Sequence, residues 1–242
     1  MKTIVCYPIP FNLWEHYRPY VSRFARTFKQ YPPGTDYELY VTCHWGEPID
    51  QLRRWFYGTR CKFVPYYRDG CDIGSARAIA SMIEEAFIVG IPTHAFFHRE
   101  GWLARLVEAR RKYGPHLFAA AGSFEHGPHL RTSCYGLDAE DFRAYPMEVE
   151  SREAATEFET GQRSITNFFR SNNKACVQVT WDDEQEQDEW RIPDGIFRRG
   201  EQNAMLVWDR HTEIYAKASD ELKLRLSGLA DGIIVDSNGE KA

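Results

Sequence analysis

The residues best able to do chemistry fall in a few dense groups. The most acidic is Asp182-Asp183-Glu184-Gln185-Glu186-Gln187-Asp188-Glu189, between Trp181 and Trp190. A carboxylate held within reach of a hydroxyl can take its proton, although an acidic run is most often a solvated face. Arg77, Arg99, Arg198 and Arg199 carry guanidinium groups of the kind that grip phosphate bidentately. His94 and His98 stand at i, i+4 spacing and could, with His211, hold a soft-to-borderline metal, but nothing in the sequence fixes their geometry. Packed or surface histidines are the better default. Asp72 lies in the turn Arg68-Asp69-Gly70-Cys71-Asp72-Ile73-Gly74, where it either caps a helix expected from Ser75 or meets a ligand. His126, His129 and Arg131 crowd a polar loop after a buried strand, a weakly diagnostic pattern.

These groups need elements to hold them. Residues 2–7 read as a buried strand cut off by Pro8-Ile9-Pro10, since proline cannot continue a ladder. Tyr17, Tyr20, Val21, Phe24 and Phe28 recur at helical spacing and predict an amphipathic helix that ends before Tyr31-Pro32-Pro33-Gly34. Strands are expected over residues 37–43 and 62–66, with a short helix over 51–57 between them. A helix over 75–86 and a strand over 87–89 follow. A helix from Trp102 to the stop Lys112-Tyr113-Gly114-Pro115 and a strand over 116–123 come next. This alternation predicts a parallel sheet covered by helices, with ligands bound beyond the carboxyl ends of its strands. Residues 8–12, 44–47, 68–72 and 91–94 are therefore expected to face one cleft. Farther on, strands are expected over 131–137 and 175–181, and Asp138, Ser151 and Ser164 are expected N-caps.

Composition narrows the classes. The chain has 242 residues, 43% hydrophobic and 14% aromatic, ample for a real core, and a net charge of −5. With a pI near 5.9 and a mean hydropathy of −0.53, it carries no overall nucleic-acid footprint and reads as soluble. The six cysteines are scattered without a CxxC pair and read as reduced core fillers of a cytoplasmic protein. Residues 1–9 read as a first strand and no signal peptide, and no apolar run approaches a membrane span. No repeat or interdomain linker is visible, so residues 1–242 are expected to form one domain, with a flexible tail at 236–242.

Residues 66–110, with their glycine turn, paired helices and Gly101-Trp102-Leu103 helix start, resemble the middle of a GT-A glycosyltransferase. The kind resembled is family 2-like, within the nucleotide-diphospho-sugar transferases. Ile196-Phe197-Arg198-Arg199-Gly200-Glu201-Gln202-Asn203 and Val207-Trp208-Asp209-Arg210-His211 resemble the C-terminal part of a bacterial and phage group of such enzymes. The resemblance implies an α/β fold, a GT-A-like, Rossmann-type three-layer sandwich whose mostly parallel central sheet is flanked by helices. Residues 1–123 would be the nucleotide-sugar-binding half and 124–235 the acceptor-side half. The implied reaction moves a sugar from a nucleotide-diphosphate sugar to a hydroxyl acceptor, which would be a glycan, lipid, protein or modified nucleic acid.

The same resemblance distributes roles. Pro8, Ile9 and Pro10 would wall the nucleobase, and His44 would lie near the nucleoside. Asp72 would bind the nucleoside or ribose and Arg77 the diphosphate, with Arg198, Arg210 or His211 completing the diphosphate site. His94, His126, His129 and Arg131 would face the substrate. Asp182, directly off a strand, is the expected general base, with Asp188 second. Where such enzymes usually hold Mg²⁺ or Mn²⁺ with Asp-X-Asp, this chain has Gly90-Ile91-Pro92-Thr93-His94. No metal ligands are therefore assigned, a divalent metal has no motif to support it, and arginines are expected to neutralise the diphosphate. Two other readings stay open. One is a non-catalytic nucleotide-sugar-binding protein of the same fold, for which the missing acids speak. The other is a nucleotidyltransferase, which would need metal-binding carboxylates and an N-terminal glycine-rich phosphate loop. The sugar, the base, inversion or retention, and the oligomeric state are not legible.

Overall fold

Strand β1 (Lys2–Pro10) is buried continuously from Ile4 to Ile9. A strand hidden on both faces must sit inside a sheet with helices above and below. In the computed structural model, which describes residues 1–233, β1 is an inner strand. It pairs in parallel with β2 (Glu38–His44), which pairs in parallel with β3 (Cys61–Tyr66). On its other side it pairs in parallel with β4 (Ala86–Gly90). The sheet continues through β5 (Leu117–Ala119), β8 (Tyr135–Asp138), β9 (Cys176–Val179) and β10 (Glu184–Gln185), giving eight strands in the order β10-β9-β5-β8-β4-β1-β2-β3. Only β8 and β10 run against the rest. A separate two-stranded ladder joins β6 (Gly122–Ser123) to β7 (His129–Leu130).

The period-2 alternation of β1 sorts its side chains to two cores. Val5, Tyr7 and Ile9 pack under α1 (Trp14–Gln30), α2 (Asp50–Trp55) and α4 (Trp102–Tyr113), through Phe24, Leu52 and Leu103 among others. Ile4 and Cys6 pack on the opposite face. That face is covered by α3 (Cys71–Ser81), α5 (Ala139–Ala144), α6 (Arg152–Thr160) and α7 (Ile165–Ser171). The result is the expected three layers with a mostly parallel central sheet. Helices α8 (Arg210–Lys217) and α9 (Asp220–Ala230) close the chain. All six thiols are free, and Cys6, Cys43, Cys134 and Cys176 are buried. The tail expected at 236–242 lies outside the described residues. Among the described residues, no helix is long and apolar enough to cross a membrane.

Several expected boundaries move, for identifiable reasons. β1 does not stop at Tyr7 but runs through Pro8 and Pro10. Its ladder with β4 ends at Cys6, whose carbonyl accepts from Ile91 N, whereas its ladder with β2 continues to Pro10. Pro8 and Pro10 share the parity of Cys6, so their missing N–H groups fall where the β4 ladder has already ended. Helix α3 begins at Cys71 rather than Ser75, because Gly70 and Gly74 let its first turn press on the chain at Val149. The strand expected over 116–123 breaks into β5 and β6, the one expected over 131–137 shortens to β8, and His129–Leu130, expected in a loop, pair with β6 as β7. Ser151 and Ser164 cap α6 and α7 as expected, accepting from Ala154 N and Asn167 N. Asp138 stands at the N-cap of α5 without capping it, because its carboxylate is held by Arg110 at 2.6 and 2.9 Å.

A Cβ at Gly74 would lie 2.2 Å from the carbonyl oxygen of Val149, a backbone atom that cannot rotate away. Gly74→Ala is therefore expected to lower unfolding free energy by about 2 kcal/mol through overpacking, despite alanine's better helix propensity. Urea denaturation measures this, and a variant as stable as the parent would refute the close approach.

Candidate functional site

At the carboxyl edge of β1 to β4 the ladders end and polar connections meet. A cleft of about 370 Å³ opens there. It is lined by Pro8 and Pro10 of β1, by His44 and Trp45 after β2, by Arg68, Asp69 and Asp72 before and within α3, and by Pro92, Thr93 and His94 after β4. Arg152 and Arg210, the first residues of α6 and α8, reach it from the second half of the chain. A smaller cavity of about 120 Å³ adjoins it through Pro92, His94 and Arg210, and adds Arg131, Thr132, Ser133, Glu159, Asp209 and His211. The expected meeting of the four post-strand segments is thus present, since each supplies lining residues.

Specific hydrogen bonds hold this lining. Thr93 Oγ1 donates to the Pro8 carbonyl and Tyr7 Oη donates to the Thr93 carbonyl, both at 3.0 Å, tying the post-β4 loop across β1. His44 Nε2 lies 3.2 Å from Thr42 Oγ1, which donates to Ser75 Oγ at 3.0 Å. Trp45 adopts φ +55° and donates from Nε1 to Asp69 Oδ1 at 3.0 Å. Asp209 caps α8, accepting from His211 N at 2.8 Å and from Thr212 N and Oγ1 at 3.0 Å. This capping box fixes the helix start that carries Arg210 and His211.

Burial and charge set the protonation of these groups. Burial pushes His44 down to about 4. His94 is also pushed down to about 4, first by burial and then by the Arg210 charge beside it. Asp72 is pushed up to about 6 by burial and by the neighbouring carboxylate of Glu159, against backbone N–H groups of its own helix turn. Burial opposes the ionised form of Asp209, but Arg131, His211 and the capping bonds outweigh it and hold that carboxyl below its usual range. Arg68 is paired with Glu150, while Arg152 and Arg210 form no ion pair among the described residues.

Pro8, Pro10, His44, Asp72, His94, Arg131, Arg210 and His211 all line the joined cavities. Other expected site residues do not. Ile9 is fully buried in the core under α1. Arg77 sits six residues into α3, about 9 Å along its axis from the start. There it donates to the Tyr145 carbonyl at 3.1 Å and to Glu148 at 3.2 Å, beside a different hollow. Arg198 is buried at φ +54° and bonded to Glu125 at 2.8 Å. His126 is exposed at a loop tip, and His129 is buried with Nδ1 2.9 Å from the Gly127 carbonyl.

Neither acid of the 182–189 run reaches the cleft. Asp182 follows β9 at the correct edge of the sheet, but β9 lies three strands from β4, roughly 14 Å away. Asp188 follows the antiparallel β10, which carries it back toward the start of β9, where it lines a hollow with Ala175 and Cys176. Conversely, Arg152, Glu159, Ser133 and Asp209 line the site without having been singled out. The usable signal was the Asp209–Thr212 capping pattern, which places a helix start at Arg210.

The histidine triad does not assemble. His98 stacks on Trp208 at 4.3 Å with Nε2 2.8 Å from the Met205 carbonyl. Among the described residues, no three His, Cys, Asp or Glu side chains converge as metal ligands. The residues after β4 therefore do not fit a carboxylate-held Mg²⁺ or Mn²⁺.

No family model matches the chain, and no curated protein matches it. Among solved structures, it is similar to a fragment of TarS from S. aureus in complex with UDP, at 11% identity and a TM-score of 0.45 over 64% of this chain. It spans 53% of that fragment and 32% of a longer TarS structure. It is also similar to the galactosyltransferase LgtC with donor and acceptor sugar analogues, at 10% identity and a TM-score of 0.42 over 69% of this chain and 70% of that one. A third similar structure is mouse xyloside xylosyltransferase 1, at 9% identity and a TM-score of 0.43 over 69% and 80% of the two chains.

NMR titration should find His44 and His94 neutral down to about pH 4, below the ordinary 6.5. The unfolded chain takes up these protons first, so the stability the two groups contribute is present above pH 6.5 and is lost as pH falls toward 4. His44→Gln should flatten that part of the stability profile. A His44 resonance titrating near 6.5 would contradict its burial.

Proposed function

We propose that this protein is a glycosyltransferase that moves a sugar from a nucleotide-diphosphate sugar to a hydroxyl acceptor. One observation carries the reading. The carboxyl ends of β1, β2 and β4, the start of α3, and two unpaired arginines from the second half meet in a single cleft. In an open parallel sheet that edge is where ligands bind. Pro8, Pro10 and Trp45 offer apolar walls for a nucleobase, and His44, held neutral, offers it a hydrogen bond.

Arg152 and Arg210 are proposed to take the diphosphate, because guanidinium binds phosphate bidentately and neither is committed elsewhere in the described residues. They replace Arg77 and Arg198, which are occupied by Glu148 and Glu125.

Transfer to a hydroxyl needs a group to accept its proton. Asp72 lines the cleft and burial raises its proton affinity to about 6, so it is proposed as the base in place of Asp182 and Asp188, which do not line it. The base must be ionised, so turnover should fall as pH drops below about 6.

The test is a panel of nucleotide sugars assayed for binding and turnover, with and without EDTA. Arg210→Ala should lower kcat/KM by about 10- to 100-fold, the loss of a charge-assisted phosphate contact. Asp72→Asn should abolish the acid limb and most of kcat while nucleotide still binds, whereas Asp182→Asn and Asp188→Asn should change little. Failure of every donor to bind or react would end the proposal, and a strict metal requirement would overturn its arginine part. Sugar-nucleotide binding without turnover, unchanged by Asp72→Asn, would favour a non-catalytic binding protein instead.

A further inference from the structure

Three polar atoms of the smaller cavity's lining are buried with no hydrogen-bond partner among the described residues. They are His94 Nε2, Arg131 Nε and Ser133 Oγ. Ser133 is only 6% exposed, so its hydroxyl cannot turn to bulk water. Buried polar atoms are nearly always satisfied, and three orphans on one small hollow mark a place where a ligand or ordered water completes the bonding.

Charge narrows the ligand. Arg131 and Arg210 share the cavity lining with Glu159 and Asp209, each of which accepts from backbone N–H through one oxygen. His94 and His211 are both pushed toward the neutral form, by burial and by these arginines. An anionic ligand would meet two carboxylates, and an ammonium would meet two guanidinium groups. A hydroxyl can accept from Arg131 or Ser133 and donate to Glu159 or Asp209, so it suits both. The volume, about 120 Å³, is well above the ~10–15 Å³ that one ordered water needs. That is room for the hydroxyl-bearing face of one sugar ring.

We infer that this cavity is a subsite for one electrically neutral monosaccharide unit, bearing no carboxylate, phosphate or free amine. The inference rests on the nucleotide-sugar reading of the adjoining cleft, with which the cavity shares His94 and Arg210. The unit is either the sugar carried by the donor or the one presented by the acceptor.

Saturation-transfer NMR on the full chain tests it, using methyl glucoside, methyl galactoside and methyl mannoside against glucuronate and glucosamine. Each is run alone and with UDP or GDP. At least one neutral glycoside should bind about five-fold or more tightly than either charged sugar. Ser133→Ala should weaken that glycoside by about two- to ten-fold and leave UDP or GDP binding unchanged, and Ser133→Thr should restore it. A glycoside that binds alongside UDP or GDP marks the acceptor's sugar. A UDP-glucose that outbinds UDP, with the gain lost in Ser133→Ala, marks the donor's. Charged sugars binding as well as neutral ones would overturn the inference even if Ser133→Ala fails to fold. Nucleotide binding without any glycoside or sugar-nucleotide preference would overturn the subsite alone. Glycoside binding without nucleotide binding would overturn the reading of the larger cleft alone, and failure of every probe would overturn both.

Discussion

The parallel pairing of β1 with a neighbour on each side is the constraint from which the rest follows. Ile4 faces Glu38 of β2 and Ile88 of β4 in register, so three strands leave the sheet at the same edge. Parallel strands need long crossovers, and here each crossover brings a helix to one face or the other. The two ladders have unequal lengths, because the β4 side ends at Cys6 and the β2 side reaches Pro10. That step leaves β1 projecting past β4, and Thr93 and Tyr7 tie the post-β4 loop into it. The cleft is the space this step creates.

The second half of the chain supplies the charge that the first half lacks. Helices α3, α6 and α8 all begin at the cleft, which sets the positive end of each dipole at its rim. Arg152 and Arg210 stand at two of those starts. The capping of α8 is unusually complete: Asp209 binds His211 N, Thr212 N and the Thr212 hydroxyl with one oxygen. A carboxylate at the edge of the site thus spends half of itself on backbone, which fixes the neighbouring arginine without cancelling it outright. Under the proposed function, these helix starts place the two guanidinium groups that would take the donor diphosphate.

Local pattern made the first half of the fold legible. Alternation in β1 and β2, the helical spacing of Tyr17 to Phe28, and the breakers after them carry their own information, and so does the rule that parallel strands bind ligands at their carboxyl ends. Hence the post-strand segments that hold Pro8, Pro10, His44, Asp72 and His94 are legible in the sequence as cleft lining. What failed depended on strand order and on partners distant in sequence. Asp182 leaves a strand in the expected direction, but β5 and β8 intervene between β9 and β4. Asp188 is reversed by the antiparallel β10. Arg77 and Arg198 are consumed by Glu148 and Glu125, 71 and 73 positions away, which no local window reveals. The early start of α3 has the same origin, since its glycines answer to Val149.

Protonation at the junction of the two cavities follows one logic. Desolvation there disfavours every charge, and each group responds according to its chemistry. His94 stays neutral beside Arg210, because a second cation in a poorly hydrated site would repel the first. Asp72 binds its proton more tightly beside Glu159, because a second anion is equally unwelcome. His94 and Asp72 therefore shift toward their neutral forms, Asp209 keeps its charge through Arg131, His211 and its capping bonds, and the arginines, which cannot titrate, keep theirs. A metal held by carboxylates would demand the reverse, with several ionised acids converging on one point. At this cleft the fixed positive charge is therefore that of Arg152 and Arg210 at the rim, while His94 beside them is held neutral.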